Sequence, residues 1–453
     1  MDAGRRKRLT LVAAILGSGI ALLDGTIVNV ALPSIEADLG GGLAGQQWVI
    51  DAYLLTLGSL LLVGGSLGDV YGERRVFELG VAAFGVASLL CALAPSIWLL
   101  VAARALQGVA SALLTPASLA VISETFEGHE RGTAIGSWTA WGGIATVIGP
   151  LVGGQIIDSA SWRWIFFINA PFVVATMALI RAAIPPVEGR RTRHVDLVGG
   201  ALAAAGLAGP VFALIEQPRL GWTHPAVLAG LVAGAVLLPL FVLFELRARD
   251  PMLPCGLFAR RNFAVANGET LAMYAGLSAL FFFLIIFLQQ VAGWSALESG
   301  LAGLPTTIAM FTLSRRFGAL AARFGPRLFM GGGPLVAACG VLLLLRLDEH
   351  AAYFADVLPA TLVFGLGLSV TVAPLTTTVM EGAGADNAGI ASGVNNAVAR
   401  VAGLLGIAAV GVAVAARSSG GLDVGGFHLG VAIVAGLVAF GGITGLVGIR
   451  NGV

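Results

Sequence analysis

The chain has little charge and few of the residues that build reactive centres. Charged residues make up 11% of its 453 residues, whereas a water-soluble domain carries about 25%. Its three cysteines and five histidines are scattered and never cluster, which gives no support to a disulfide framework, a metal site or a nucleophile pair. A net charge of +1 gives no support to nucleic acid as a partner. We therefore expect neither catalytic residues nor metal ligands.

Apolar segments fill most of the chain instead. Apolar residues make up 57% of the sequence, and 64 glycines suit helices that pack closely in lipid. A membrane-spanning helix needs about 20 mostly apolar residues. The weakest candidate is the tenth, because Glu298 opens it and Arg315 follows it. The pattern predicts an all-α membrane protein with these 14 transmembrane helices: Leu9–Leu32, Gln47–Leu67, Val76–Leu93, Ile97–Ile122, Gly132–Ile157, Ile165–Ile184, Leu197–Ile215, Val227–Leu246, Phe263–Leu288, Ala296–Leu313, Leu328–Leu345, Val357–Val379, Gly389–Ala416 and Leu429–Ile449.

The distribution of arginine predicts the orientation. Most of the 26 basic residues fall in alternate loops, beginning with Arg5–Arg8 and including Arg190–Arg193, although Glu381–Asn387 in the same set is acidic. Basic loops stay in the cytoplasm, so we expect both termini there, in a multi-pass protein of the inner (cytoplasmic) membrane. The opposite loops hold four arginines: Arg163, Arg219, Arg346 and Arg417.

Two short polar segments share a pattern. Gly65–Arg75 reads GSLGDVYGERR after the second span, and Gly318–Arg327 reads GALAARFGPR after the tenth. Both keep Gly-x-Leu, a glycine seven residues after the first, and a closing arginine, but Ala322 stands where Asp69 stands in the first copy. Internal symmetry of this kind is typical of transporters. The predicted organisation is a six-helix bundle at 1–184, a linker with two extra helices at 185–261 and a second six-helix bundle at 262–453.

The first copy, the gate segment Gly65–Arg75, is interpreted as a loop between the second and third helices. Gly65 and Gly72 would supply its turns. Asp69 would cap the third helix and interact with Arg74 or Arg75.

Several motifs, taken in order, resemble the fourteen-helix drug:proton antiporter branch of the major facilitator superfamily. One departure is Glu73, which stands in the gate segment where that family usually has a basic residue. Besides the gate segment, the motifs are LDGTIVNVALP at Leu23–Pro33, RALQG at Arg104–Gly108, GPLVGG at Gly149–Gly154, WRWIFFIN at Trp162–Asn169, LQQV at Leu288–Val291 and GIASG at Gly389–Gly393.

The resemblance implies roles for three of these motifs. The gate segment would latch the two halves on the cytoplasmic side, and Arg104 would take part in proton handling. The antiporter motif would bend the fifth helix and seal one side against proton leak; its residues are Gly149, Pro150, Gly153 and Gly154.

Five charged side chains inside predicted spans, here called the intramembrane charges, are candidates for a function. Each costs about 2.5–3.5 kcal/mol at mid-helix, so each needs a reason to be there. Asp24 is the leading candidate to take up and release protons. Arg104, which keeps its proton, would tune an acid through an Asp24–Arg104 or an Asp51–Arg104 salt bridge. Asp51 could also pair with Asp24 or simply face outer water.

The other two charges lie in the second half of the chain. Glu269 could attract a cationic substrate from the cytoplasmic side, or be a helix-start acid that reaches interfacial water. For Arg400 we expect a structural partner, either a carbonyl or an acid. Aromatic residues suit flat lipophilic cations, and the predicted cavity aromatics are Trp138, Trp141, Tyr274 and Phe283.

The predicted function is proton-coupled export of small lipophilic compounds, cations among them, by alternating access. The expected partners are the substrate, protons and membrane lipids, and the expected state is a monomer. The proton gradient would supply the energy, and no cofactor is expected. Export of one specific metabolite or lipid and proton-coupled uptake remain alternatives, whereas an enzyme or a sensor would need residues or a soluble domain that the chain lacks.

Overall fold

The computed structural model describes residues 2–185, 195–249, 251–384, 387–417 and 421–451, and these form helices joined by short connections. The arginines at 190–193 that supported the orientation lie outside the described residues. The helices are α1 (Ala3–Leu39), α2 (Gly42–Tyr71), α3 (Glu73–Ala92), α4 (Ile97–Thr125), α5 (Gly128–Ser159), α6 (Trp164–Phe167), α7 (Asn169–Ala183), α8 (Leu197–Leu220), α9 (Pro225–Arg247), α10 (Arg261–Gln290), α11 (Ala296–Leu301), α12 (Leu304–Phe324), α13 (Pro326–Leu343), α14 (Leu358–Ala383), α15 (Ala388–Arg417) and α16 (Val424–Gly448).

The all-helical membrane fold predicted from the apolar segments is confirmed. Within the described ranges, 13 helical segments are long and apolar enough to cross a membrane. They correspond to 13 of the 14 predicted spans, with α6 and α7 together forming the sixth.

The tenth predicted span, Ala296–Leu313, is wrong as a single helix. The Ser295 side chain and Glu298 form a capping box that starts the short helix α11, which ends at Leu301. The chain then turns, and α12 begins at Leu304 with Pro305 in its first turn. Because α12 extends past the predicted end to Phe324, it carries arginines that the sequence had placed in a loop.

The gate segment is also mostly helical, so its interpretation as a loop is wrong. Helix α2 continues through Gly65 and Asp69 to Tyr71, and the only residue between α2 and α3 is Gly72, at a φ of 93°. In the second copy α12 likewise runs to Phe324, and Gly325 at 87° separates it from α13. Backbone groups near lipid must be satisfied within a helix, so internal glycines alone do not end it. Each copy thus turns at one left-handed glycine.

The chain forms two compact units: 1–207 with 236–252, and 208–235 with 253–453. In the first unit α1 packs against α4, α5 and α7, while α2 and α3 pack against α4. In the second, α10 packs against α14, α15 and α16, while α12 and α13 pack against α14. Each of these pairings in one unit has its counterpart in the other.

Candidate functional site

Asp24 lies midway along α1 and is fully buried. Its carboxylate accepts three hydrogen bonds from side chains of two other helices. Arg104 Nη1 donates from α4 at 2.5 Å, Gln107 Nε2 donates from α4 at 2.8 Å, and Asn169 Nδ2 donates from the start of α7 at 3.2 Å. The Asp24–Arg104 ion pair, one of the alternatives raised by the sequence, is therefore present, with both side chains shielded from solvent.

The partners of Asp24 are themselves held in place by a second set of contacts. The Gln107 side-chain oxygen accepts a hydrogen bond from Arg104 Nη1 at 2.6 Å. Ser88 of α3 accepts from both amides, at 2.9 Å from Gln107 Nε2 and 3.1 Å from Asn169 Nδ2. Buried polar groups are stable when hydrogen-bonded, and this network joins α1, α3, α4 and α7 around one carboxylate.

Arg104 is held on its other side by α2. Its Nε donates to the Val49 carbonyl oxygen at 3.1 Å, and its guanidinium carbon lies 4.3 Å from the centroid of the Tyr53 ring. Tyr53 is fixed in turn by a hydrogen bond to Ser111 Oγ at 3.1 Å. Arg104 Nη2 is buried and has no hydrogen-bond partner in the described part of the chain. The arginine is thus anchored by α2 and α4 and keeps one donor available.

The antiporter motif packs directly against the turn of α1 that follows Asp24. A Cβ atom on Gly149 would lie 2.3 Å from Thr26 Oγ1, and one on Gly153 would lie 2.2 Å from Ile27 Cγ1. Only glycine allows the two helices to approach this closely. Pro150 lies inside α5, which is continuous from Gly128 to Ser159, so this motif does not break the helix. Gly154 is also buried.

Asp51 takes none of the positions that the sequence suggested for it. It is fully buried on α2, so it does not face water. Within the described ranges neither of its carboxylate oxygens has a hydrogen-bond partner. It therefore pairs with neither Asp24 nor Arg104 in this structure.

Glu269 is likewise fully buried, and both of its carboxylate oxygens lack a hydrogen-bond partner among the described residues. The carboxyl group lies against α16 near α13: a Cβ atom on Gly445 would be 2.7 Å from Glu269 Oε2 and 2.7 Å from the Met330 carbonyl oxygen. In this structure it does not reach interfacial water, and its role towards a cationic substrate stays a prediction.

Arg400 is partly exposed near the middle of α15. In the part of the chain that the structure describes, it forms no ion pair or hydrogen bond, so the expected carbonyl or acid partner is absent. Its guanidinium interacts electrostatically with Tyr274 of α10, which is also partly exposed.

The other predicted cavity aromatics differ in their surroundings. Trp141 is more than half exposed, whereas Phe283 is 3% exposed and packs edge-on against Phe282, so Phe283 lines no open space. Trp138 packs against the apolar cluster formed by Ala14, Ile122, Phe126 and Ala134.

The gate residues also depart from their predicted contacts. Asp69 lies in the last turn of α2, and the N-cap residue of α3 is Gly72. Within the described residues neither Arg74 nor Arg75 forms an ion pair with Asp69. The Glu73 carboxyl group instead packs against Gly68, where a Cβ atom would lie 2.2 Å from Glu73 Oε2.

Gln107 and Asn169 lie within the motifs named above, but neither they nor Ser88 were predicted as site residues. One usable signal was the spacing of Gln107, three residues after Arg104 and hence on the same helix face. Asn169 and Ser88 are uncharged, and nothing local in the sequence distinguishes them from other polar residues in apolar helices.

Comparisons with known proteins show the family to which the chain belongs. Residues 14–407 match the sequence model described as Major Facilitator Superfamily. The chain is 40% identical over 407 residues to the puromycin resistance protein pur8 of Streptomyces alboniger, covering 88% of this chain and 80% of that protein. It is 34% identical over 420 residues to the tetracenomycin C resistance and export protein of Streptomyces glaucescens, covering 90% of this chain and 76% of that protein.

A solved structure supports the fold. The structure of the peptide transporter POT in complex with sulfate matches with a TM-score of 0.72 at 12% sequence identity, covering 99% of this chain and 98% of that one.

Proposed function

The chain belongs to the major facilitator superfamily, and from that premise we propose that it exports small lipophilic compounds across the cytoplasmic membrane in exchange for protons. Its relatives are antibiotic resistance and export transporters, not enzymes. Their names suggest antibiotics as cargo, with puromycin and tetracenomycin C as first compounds to test. The observation that carries the proposal is the fully buried Asp24–Arg104 pair.

A buried ion pair of this kind links protonation to structure. When a proton binds Asp24, the carboxylate loses the charge that holds Arg104. Removing one partner of a buried pair costs about 3–5 kcal/mol, because the other charge is left uncompensated. The protein relieves that cost by moving Arg104 towards another acceptor or towards water. Protonation of Asp24 thereby favours a second conformation, and deprotonation restores the first.

Asp51 is the proposed second partner for Arg104. It is fully buried and has no hydrogen-bond partner among the described residues, and it lies on α2, the helix that already holds Arg104 through Val49 and Tyr53. A buried carboxylate without donors gains from a cation that comes within reach. Exchange of Arg104 between Asp24 and Asp51 would let each acid bind a proton as the arginine leaves it and release that proton as the arginine returns.

The close contact between α5 and α1 supports coupled exchange. Gly149 and Gly153 bring α5 against Thr26 and Ile27, in the turn of α1 that follows Asp24. A helix packed this closely excludes water from the carboxylate. We propose that this seal prevents protons from crossing without cargo.

The proposed orientation places both termini in the cytoplasm of a monomer in the inner membrane. In a variant without native cysteines, Arg417→Cys should react with a membrane-impermeant maleimide added to intact cells. Arg316→Cys in α12 should react only after the cells are opened. The reverse pattern would overturn the orientation.

The coupling role is tested by Asp24→Asn, with Asp38→Asn as the matched control. Asp38 lies on the same helix, is exposed and pairs with Arg163, so its replacement makes the same chemical change away from the network. In cells that lack their own drug exporters, we expect Asp24→Asn to abolish resistance to the exported compounds at unchanged membrane abundance, while Asp38→Asn retains it. Full resistance with Asp24→Asn would remove this residue from the coupling role.

A further inference from the structure

The five intramembrane charges differ in access to open space. Asp24, Asp51, Arg104 and Glu269 are fully buried, whereas Arg400 is partly exposed. Of these five side chains, the one that a bound compound can reach is therefore the positively charged Arg400. An arginine at mid-helix is costly in lipid and marks a functional site, and this one has no ion-pair partner in the described chain that would account for it.

The seam between α10 and α15 sets the surroundings of Arg400. Asn395 Nδ2 donates to Asn267 Oδ1 at 3.2 Å and to Thr270 Oγ1 at 2.7 Å. Further along, α15 approaches α10 so closely that a Cβ atom on Gly406 would lie 2.3 Å from the Ala275 carbonyl oxygen. Both helices run in the same direction at this seam, so Arg400 lies level with the α10 turn that carries Tyr274.

Three polar side chains gather at this level without satisfying one another. Arg400 and Tyr274 are partly exposed electrostatic neighbours, and Asn396 is exposed on α15 one turn before Arg400. None of the three forms a hydrogen bond with a described residue. Arginine offers five N–H donors and no acceptor, and the tyrosine hydroxyl and asparagine amide add further donors. The group therefore offers many more N–H and O–H donors than acceptor oxygens, and its only charge is positive.

Carboxylates are absent from this group for a structural reason. Glu269 is the acid on α10, and its carboxyl group lies against Gly445 of α16, buried away from Arg400. The sequences of α15 and α16 contain no acid, and Glu381 lies in the last turn of α14. A cation placed beside Arg400 would meet a like charge, and these described helices offer no carboxylate beside it to offset that charge.

We propose that Arg400, Tyr274 and Asn396 form a substrate subsite that binds an anionic oxygen, a carboxylate or phenolate, on a lipophilic compound. This inference rests on the proposed export function and assigns its substrate class, in place of the cations that the aromatic residues suggested. Arginine binds such oxygens through charge-assisted, often paired hydrogen bonds. The neighbouring aromatic ring of Tyr274 and the apolar walls of the helices would hold the carbon skeleton.

Fluorescein and rhodamine 123 provide matched probes, because they share a xanthene frame and carry opposite charges at neutral pH. We expect the purified protein in detergent to bind fluorescein more tightly than rhodamine 123, measured by fluorescence anisotropy. Arg400→Gln should weaken fluorescein binding by about tenfold or more, since a hydrogen bond to a charged group is lost, and should not weaken rhodamine 123 binding. Arg400→Lys should retain part of the affinity, and Tyr274→Phe should lose about threefold to fivefold.

Arg417→Gln is the matched control, since it removes an exposed arginine at the end of the same helix. Any of three results would overturn the proposed substrate class. They are tighter binding of rhodamine 123 than of fluorescein, no fluorescein binding, and fluorescein binding that is unchanged in Arg400→Gln. Gradient-driven uptake of the dyes into everted membrane vesicles tests the export function separately. Arg400-dependent binding without such uptake would uphold the subsite and contradict proton-driven export.

Discussion

The first helix of each bundle carries a buried carboxylate, and the two differ in what surrounds them. Asp24 on α1 accepts hydrogen bonds from three side chains, one of them the cation of Arg104. Glu269 on α10 is as deeply buried, but neither of its oxygens has a hydrogen-bond partner among the described residues. The bundles share their helix pairings, so the difference comes from side chains and not from topology.

In the proposed mechanism, a coupling group needs a bound cation as well as burial. Protonation of Asp24 releases the cation of Arg104, whose other contacts come from α2 and α4. Protonation of Glu269 releases nothing, because no donor is bound to it. We therefore assign proton coupling to the first bundle and substrate contact, through Arg400, to the second.

The largest expected effect comes from removing one partner of the Asp24–Arg104 ion pair. Arg104→Gln leaves the Asp24 charge without its cation and should lower the free energy of unfolding by about 3–5 kcal/mol. The double variant Asp24→Asn/Arg104→Gln removes both charges and should lose clearly less than the sum of the single variants. The measurement is unfolding of the purified protein in mixed micelles. Additive losses would show that the two side chains do not depend on each other.

A smaller effect should come from filling the contact between α5 and α1. Gly153→Ala places a methyl group where Ile27 now lies, and such overpacking typically costs about 1–3 kcal/mol. Gly136→Ala is the control. Gly136 lies on the same helix, and a Cβ atom there would have no neighbouring atom within 4 Å. We expect Gly153→Ala to lower both stability and the retention of a pH gradient in proteoliposomes. Equal behaviour of the two variants would contradict the seal.

The smallest effect should follow from Glu269→Gln. Because Glu269 has no hydrogen-bond partner among the described residues, an amide of the same size removes no interaction and avoids burying a charge. We expect stability within about 1 kcal/mol of the unsubstituted protein and gradient-driven export retained. Loss of export in this variant, at normal stability, would place proton coupling in both bundles and remove the distinction between them.

Apolar length was enough to predict the fold. Continuous stretches of about 20 apolar residues leave the backbone no alternative to a helix in lipid, so 13 spans were predicted correctly. The predicted helix bounds were wrong where a charged residue or a glycine was taken as the end of a helix. Helix α12 carries Arg315 and α2 passes through Gly65, because neither residue prevents backbone hydrogen bonding.

The site was only partly predictable. Asp24 and Arg104 could be identified because a charge inside a span is costly and rare. Gln107, Asn169 and Ser88 carry no charge, and their contacts join helices far apart in sequence, so no local pattern reveals them. The sequence also could not show that Asp51 and Glu269 lack partners or that Arg400 is the accessible charge, because these are properties of packing.

The central claim is that Asp24 carries the proton that drives export. Proteoliposomes loaded with a pH-sensitive dye allow proton movement to be recorded as an exported compound is added. We expect cargo to move protons in the opposite direction with the unsubstituted protein and with Asp38→Asn, and no such proton movement with Asp24→Asn. Two results would contradict the claim. One is cargo-driven proton movement that persists in Asp24→Asn, and the other is transport that is unchanged after both the pH difference and the membrane voltage are collapsed.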